Sequence, residues 1–318
     1  MSTPAPSSTA APARGMVHIP RGTFLMGSED FYPEERPVNP VSVDGFWIDA
    51  HPVTAAEFRR FVKATGYVTV AERAPDPAGY PDADPAALVP GALVFRMTPG
   101  PVSLDDWRQW WSYAPGACWR RPSGPRSTLH GRELHPVVQV AYEDAAAYAT
   151  WAGKELPTEA EWEFAARGGL QSAAFPWGND VAPRGRRMAN TWHGHFPWQY
   201  LPTRKSAPAP GTSPVRTYPP NGYGLYDMVG NVWEWTCDLF TARHQPTAPN
   251  TCCAPHPPRT QAPENAGAPT AEHHPRRVIK GGSHLCAPNY CLRYRPAARQ
   301  GQSEDTATCH LGFRCVVR

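Results

Sequence analysis

The chain has 318 residues, and its 31 Lys and Arg nearly balance 28 Asp and Glu, which argues against a nucleic-acid partner. Its 39 Pro and 26 Gly exclude helical bundles, coiled coils and all-parallel sheets, because both residues interrupt helices and central strands. The 12 Trp, 12 Tyr and 11 Phe exclude a disordered chain. We therefore expect a single compact α+β domain, rich in loops and with little regular secondary structure.

Short apolar runs broken by Gly predict a β-hairpin over 16–30, and the alternating pattern of 41–48 predicts a strand. A helix is predicted over 54–64, because its first residue and Glu57 form a capping box ahead of an apolar face. Residues 74–135 are rich in Pro and Trp. We interpret them as a long ordered loop that is packed by its aromatic side chains.

Two more helices are predicted over 144–152, which ends at Gly153, and over 158–167, which begins with a second capping box. Short strands and turns are expected after them, with closing strands in 278–295 and 311–317.

Two segments are expected to be flexible. Residues 1–15 lack the apolar core of a signal peptide and are typical of a disordered tail, which leaves a domain over 16–318. Within that domain, residues 241–276 have few large apolar side chains and are interpreted as a flexible insertion. No run of 18 apolar residues occurs, so we expect no membrane span. Without an export signal, we expect a cytoplasmic protein. We also expect it to be a monomer.

In a reducing compartment, the eight cysteines are expected to be metal ligands, catalytic thiols or buried side chains rather than disulfides. Four residues separate Cys286 from Cys291, and the Pro-Asn pair between them favours a turn that brings the sulfurs together. Paired thiolates prefer Cu(I), Zn or Fe–S over hard ions. The arginines that follow, beginning with Arg293, favour the thiolate form. The spacing alone also allows two inert buried thiols or a disulfide.

Two other groups could bind a metal. His284, Cys309 and His310 could join the cysteine pair in a zinc site, although their spacing matches no familiar zinc motif and packing or substrate contact is favoured for each His. Cys252 and Cys253 lie near three histidines in the Pro-rich insertion, which we interpret as an accessory loop.

Hard oxygen donors at Asp227, Asn231 and Glu234 are spaced around Gly230, which permits a sharp bend. Such donors suit Ca²⁺. A polar turn beside a Trp-rich strand explains the same pattern, and on the pattern alone that interpretation is favoured.

Several segments in order, from about 16 to 317, together resemble the formylglycine-generating enzymes, the sulfatase-modifying factor family. They include GTFLMGSED, ELPTEAEWEFAARGG, FPWGND, GLYDMVGNVWEWT, GGSHLCAPNYCLRYRPAAR and LGFRC. LPTEAEWE and GNVWEWT mark the superfamily fold, which relatives with other activities share. The paired cysteines are the more specific signal.

The resemblance implies a fold related to C-type lectins and an O2-using oxidase. Its partner would be an unfolded or nascent sulfatase polypeptide, in which a cysteine of a C-x-P/A-x-R motif becomes Cα-formylglycine. Cys286 and Cys291 would be the catalytic residues and would hold Cu(I). Trp233, Ser283 and His310 match positions in the substrate pocket, and Cys309 would lie near the copper as a further thiol.

The resemblance also implies structural Ca²⁺ at two sites. The residues that match the first site are Asp227, Gly230, Val232 and Glu234. Asn190 and Thr191 match the start of the second, whose usual downstream acidic and aromatic residues are absent from 206–214.

Two alternatives to the copper oxidase stay open. One is a binding or regulatory relative of the same fold, which would have no need of both cysteines. The other is a non-haem iron oxidase resembling the ergothioneine-pathway sulfoxide synthases. Those enzymes need a histidine-rich iron site and typically an added helical domain, and the sequence shows neither.

Overall fold

A computed structural model of the protein describes residues 15–202, 209–244 and 274–318. The predicted tail lies outside these ranges apart from Gly15, and so does most of the predicted insertion, including Cys252 and Cys253. Among the described residues, no helix is both long enough and apolar enough to cross a membrane.

The described residues form three α-helices, several 3₁₀ turns and eleven short strands. The helices are α1 (Ala55–Thr65), α2 (Tyr142–Trp151) and α3 (Glu159–Arg167). The strands are β1 (Met16–Ile19), β2 (Gly22–Met26), β3 (Asn39–Val43), β4 (Phe46–Asp49), β5 (Gly91–Phe95), β6 (Trp111–Pro115), β7 (Trp233–Leu239), β8 (Arg276–Lys280), β9 (Arg299–Ser303), β10 (Leu311–Gly312) and β11 (Val316–Val317). The 3₁₀ turns are Pro33–Glu35, Val70–Glu72, Pro77–Gly79, Pro85–Ala87, Trp107–Gln109 and Pro183–Gly185. This confirms the prediction of a loop-rich α+β fold.

Both predicted capping boxes are present. At the start of α1, the Thr54 hydroxyl accepts the Glu57 N–H (3.3 Å) and the Glu57 carboxylate accepts the Thr54 N–H (2.8 Å). Thr158 caps α3 in the same way. Helix α2 begins two residues earlier than predicted, because the Asp144 carboxylate accepts the Ala141 N–H at 2.8 Å and closes the first turn there.

The strands pair differently from the prediction. The predicted hairpin over 16–30 is wrong, since β1 pairs with β4 whereas β2 pairs with β3. The predicted strand 41–48 is interrupted at Asp44–Gly45, where the chain passes from one sheet to the other. Sheet β1-β4-β11 and hairpin β2-β3 therefore share this stretch of sequence.

Two strand regions were not predicted. The long loop 74–135 contains the antiparallel hairpin β5-β6. The predicted closing strand 278–295 ends at Lys280, and the four-stranded sheet β10-β7-β8-β9 is completed instead by polar strand β9. Because β9 pairs only with β8, it lies at the edge of the sheet and needs no apolar alternation.

Two aromatic clusters flank the segment that follows β8. The main cluster surrounds Phe58, whose ring contacts those of Trp119, Tyr148 and Phe313. The second, which we call the tryptophan cluster, has five buried members: Trp110, Trp192, Phe196, Leu285 and Ala287. These clusters supply the apolar burial that longer regular elements would otherwise provide.

A buried network of charges joins α3 to β8. The Lys280 ammonium, fully buried, donates to Glu163 (2.9 Å) and Glu159 (3.3 Å). Arg167 also donates to Glu163 (2.7 Å), and Arg299 to Glu159 (2.7 Å). This network fixes the end of β8, where the segment with the paired cysteines begins.

Candidate functional site

The segment after β8 folds into tight turns that bring Cys286 and Cys291 together. The Cys286 N–H donates to the Ser283 carbonyl (3.0 Å), and the Cys291 N–H to the Ala287 carbonyl (2.7 Å). The two Sγ atoms lie 3.0 Å apart. The pairing of thiols predicted from the sequence is therefore confirmed.

Gly282 makes this geometry accessible. Its φ is +68°, and a Cβ atom there would lie 2.7 Å from the carbonyl oxygen of Arg293. Only Gly combines that backbone conformation with so close an approach. The segment can therefore leave β8 and return against itself two residues beyond Cys291.

Both thiols are free and buried, with 2% of Cys286 and 7% of Cys291 exposed. The hydrogen bond from Cys286 and the nearby Arg293 guanidinium lower the pKa of Cys291 to about 7. Burial, together with the hydrogen bond to Cys291, raises the pKa of Cys286 well above its usual value. Cys291 is therefore the thiol that loses its proton more readily, and Cys286 is the hydrogen-bond donor of the pair.

The predicted pocket residues surround this pair unevenly. Trp233 begins β7 and packs in the same apolar cluster as both cysteines. Ser283 lies in the turn itself: its N–H points at the Cys286 sulfur (3.4 Å), and its hydroxyl accepts the Leu285 N–H (3.2 Å). Ser283 thus shapes the turn around Cys286.

His310 is tied to the same region through its backbone. Its carbonyl accepts the Trp233 N–H at 2.8 Å, and its ring lies 4.8 Å from that of Trp111. Burial lowers the pKa of His310 to about 3, so its imidazole is neutral. The preceding thiol, Cys309, accepts a hydrogen bond from the Phe95 N–H (3.3 Å).

The zinc interpretation gains no support. His284 is buried, and its Nδ1 lies 2.8 Å from the carbonyl oxygen of Asn231, so the ring serves to hold two loops together. Across the parts of the chain that the structure describes, no three His, Cys, Asp or Glu side chains are grouped to hold a metal ion.

The residues matched to calcium sites lie close together, but the key carboxylate is already bound. Both oxygens of Glu234 accept hydrogen bonds from Arg314 (2.7 and 2.8 Å), and one also accepts from the Trp162 indole (2.7 Å). The Asp227 carboxylate accepts the Arg216 N–H (2.8 Å). A cation near Glu234 would have to share it with a guanidinium. The calcium sites stay a prediction.

The second predicted calcium segment meets the first through Asn231. The Asn190 carbonyl accepts the Asn231 N–H (2.8 Å), and the Asn190 side chain donates to the Asn231 amide oxygen (3.2 Å). A Cβ atom on Gly230 would lie 2.5 Å from the Asn190 carbonyl oxygen, which explains the Gly there. Thr191, the next residue, is half-buried.

Sequence reasoning missed an aromatic surface beside the thiols. Tyr290, which precedes Cys291, stacks on Phe196 with ring centroids 4.5 Å apart and is 38% exposed. The Asn289 amide clamps the backbone of Phe196 through hydrogen bonds of 3.2 and 3.1 Å. The aromatic-rich composition was the available signal, but it could not say which aromatics meet.

It also missed residues 31–35, which contact the cysteine segment although about 260 positions separate them in the chain. The segment carries Tyr32, Glu34 and Glu35, polar residues that are typical of a surface loop, although Glu35 is buried. A contact over such a separation leaves no periodic pattern to find.

Comparison with known proteins identifies the family of the chain. Residues 2–318 match the family described as the Sulfatase-modifying factor enzyme 1-like domain. The chain belongs to this family. Its resemblance to the family, argued from the motifs, is thereby confirmed.

Relatives of this sulfatase-modifying factor chain include proteins named as active and as inactive. A Formylglycine-generating enzyme of Mycobacterium tuberculosis is 56% identical, over 95% of this chain and 97% of that protein. A mouse protein named Inactive C-alpha-formylglycine-generating enzyme 2 is 36% identical, over 95% and 85%. The structure of PvdO from Pseudomonas aeruginosa matches with a TM-score of 0.61 and 25% identity, over 95% and 93%. Activity must therefore be argued from the site.

Proposed function

We propose that this protein is a formylglycine-generating oxidase that uses Cu(I) and O2. Its substrate would be a cysteine in the C-x-P/A-x-R motif of an unfolded or nascent sulfatase polypeptide. The observation that carries the proposal is the pair of buried, free thiols of Cys286 and Cys291, whose sulfurs lie 3.0 Å apart. The 56% identity with the mycobacterial Formylglycine-generating enzyme supports the same activity.

The donor set fits copper. Two adjacent sulfurs in an apolar pocket are soft ligands, and soft thiolates select Cu(I) over hard divalent ions. Cys286 and Cys291 would hold the ion, and Cys291 is the thiol that deprotonates more readily to bind it. When bound, copper supplies the one-electron chemistry that O2 activation requires.

The overall reaction sets a further requirement. Converting a cysteine side chain and O2 to an aldehyde, sulfide and water consumes two electrons and two protons beyond those of the substrate thiol. An external reductant, such as two thiols that are oxidised to a disulfide, must supply them. The C–S bond and a Cβ–H bond break while the C=O bond forms, so the substrate cysteine loses its sulfur.

The residues around the pair bind the substrate and exclude water, and they do not themselves react. Trp233 and the main apolar cluster keep water from the sulfurs. The Arg293 guanidinium stabilises negative charge on Cys291. Tyr290, backed by the buried Phe196 ring, offers an exposed aromatic face on which an extended peptide can lie. Since the thiols are almost fully buried, a substrate cysteine must arrive on a flexible chain, which favours an unfolded polypeptide.

The test uses purified protein loaded with Cu(I), a reducing thiol and a C-x-P-x-R peptide, with the aldehyde detected by hydrazide capture. We expect aldehyde from the wild type and none from Cys286→Ser or Cys291→Ser. Cys237→Ser is the matched control, because Cys237 is a half-buried free thiol in β7 that contributes nothing to the pair. Activity retained in either pair variant would refute the mechanism.

The non-catalytic alternative makes the opposite prediction. A binding relative of the fold would take up no Cu(I) and produce no aldehyde; the family includes a mouse protein that is named inactive. A structural Ca²⁺ at Asp227 and Glu234, a cytoplasmic location and a monomeric state complete the proposal. Each is open to direct measurement.

A further inference from the structure

The backbone of Leu292, which directly follows Cys291, is held on both sides by side chains. Its N–H donates to the Tyr32 hydroxyl oxygen (2.9 Å), and its carbonyl accepts a hydrogen bond from the Arg295 Nε (2.6 Å). The Cys291 N–H is already bound to the Ala287 carbonyl. The peptide units on either side of the Cys291 side chain are therefore both fixed.

Both anchors depend on residues 31–35, which we call the clamp segment. Tyr32 belongs to it directly. Arg295 depends on it because Glu35 accepts two hydrogen bonds from its guanidinium (2.8 and 2.5 Å) and the Phe31 ring lies 3.5 Å from its central carbon. Arg295 and Glu35 are buried, so this pairing is shielded from solvent.

A third contact reaches Arg293. Its guanidinium lies over the Tyr32 ring, 3.8 Å from the centroid, and donates to Glu34 at 2.5 Å. The clamp segment thus contacts three of the four residues after Cys291: the backbone of Leu292 and the side chains of Arg293 and Arg295. Charge-assisted and cation–π contacts of this kind fix both distance and orientation.

The clamp segment is itself anchored to the body of the fold. The Glu35 carbonyl accepts the Ser28 N–H (3.1 Å), and the Glu34 carbonyl accepts a hydrogen bond from Arg299 (3.1 Å), which begins β9. Gly27, with φ of +93°, would bring a Cβ atom to 2.4 Å from the Glu35 carbonyl oxygen, so the turn before the segment is packed closely against it. The clamp segment is therefore held in place, and through Tyr32 it holds Leu292 in place.

We propose that the clamp segment positions Cys291 for metal binding, and that Tyr32 is its principal positioning residue. The inference rests on the proposed function, because it concerns how the same thiol pair holds Cu(I). Among the described residues, the structure pairs Cys291 with the sulfur of Cys286 alone, so a mobile Cys291 would have no third sulfur there to compensate for it. Ordering Cys291 would then cost free energy when the metal binds. Metal affinity falls in the same way when groups that orient a metal ligand are removed.

The experiment measures the Cu(I) affinity of the full-length protein by competition with a chromogenic Cu(I) chelator. Tyr32→Phe removes the hydroxyl that accepts the Leu292 N–H but keeps the ring under Arg293. We expect it to bind Cu(I) about 10- to 100-fold more weakly than wild type, the usual loss when an orienting partner of a ligand is removed. Glu34→Gln keeps a hydrogen-bond acceptor for Arg293 but removes the negative charge of Glu34. It should show a smaller loss of Cu(I) affinity.

Tyr67→Phe is the matched control. Its hydroxyl also bridges two segments, donating to Asp144 at 3.1 Å, but it lies at the α1–α2 side of the fold. Urea unfolding of each variant reports the general loss of stability. We expect Tyr67→Phe to lose stability while keeping the wild-type Cu(I) affinity.

The outcomes separate cleanly. Weakened Cu(I) binding confined to Tyr32→Phe and Glu34→Gln supports the clamp, and Glu34→Gln decides alone if Tyr32→Phe does not fold. Wild-type affinity in both variants, or an equal loss in Tyr67→Phe, overturns the clamp and leaves the proposed function intact. A wild-type protein that binds no Cu(I) overturns both.

Discussion

Glu163 in α3 offers the sharpest test of the energetics. The side chain is fully buried and accepts hydrogen bonds from Lys280 (2.9 Å), Arg167 (2.7 Å) and the Gly27 N–H (2.8 Å). Burial alone would raise its pKa, but the two cations and the backbone N–H outweigh burial and lower the pKa from 4.5 to about 2. The substitution to test is Glu163→Gln.

The contribution of Glu163 to the free energy of unfolding follows from the linkage between protonation and folding. A pKa lowered from 4.5 to about 2 corresponds to about 3 kcal/mol of unfolding free energy at neutral pH. Because the folded-state pKa is the lower one, this contribution is complete above pH 4.5 and is lost as the pH falls toward 2. Breaking a buried ion pair by removing one partner costs about 3–5 kcal/mol, which agrees with that value.

The assay is urea unfolding of wild type and Glu163→Gln at several pH values between about 7 and 3. We expect the variant to be less stable by about 3 kcal/mol at pH 7, with the difference shrinking as the pH falls. Glu155→Gln is the control, since the ion pair of Glu155 with Arg318 is exposed and should be worth less than about 1 kcal/mol. A difference that stays constant across the pH range would refute the reasoning.

Three further predictions concern the backbone, the core and the calcium. Gly282→Ala should weaken Cu(I) binding and stability, whereas Gly185→Ala, also at positive φ but facing open space, should lower stability only; equal Cu(I) affinities would contradict this. Phe58→Ala should cost about 3–5 kcal/mol of unfolding free energy, against less than about 0.5 for exposed Val68→Ala; comparable losses would count against the central role of that ring. Calcium removal by a chelator should lower the thermal midpoint of the wild type and not of Asp227→Ala; an unchanged midpoint in both would remove the calcium proposal.

Local chemistry made some of the fold predictable. Helices α1 and α3 begin where Thr54 and Thr158 can cap them, because a capping box involves residues only three apart. The meeting of Cys286 and Cys291 was predictable for the same reason, since a turn of four residues decides it.

Contacts between distant parts of the chain were not predictable. Hairpin β5-β6 lies in a stretch whose Pro and Trp content obscures the alternation of buried Ala92 and Val94. Strand β9 is polar because it lies at a sheet edge, so its pairing depends on β8 and not on its own pattern. The bond between Tyr32 and Leu292 depends on the whole fold, and neither residue signals it.

The cysteine segment alternates between the two aromatic clusters. Leu285 and Ala287 pack in the tryptophan cluster, whereas Cys286 between them packs in the main cluster. Inserting or deleting one residue ahead of Cys286 would exchange these faces, turning the thiol toward Trp110 and a leucine toward Cys291. The register of side chains in this short stretch therefore matters as much as their identity. Insertions and deletions here should be far less tolerated than substitutions.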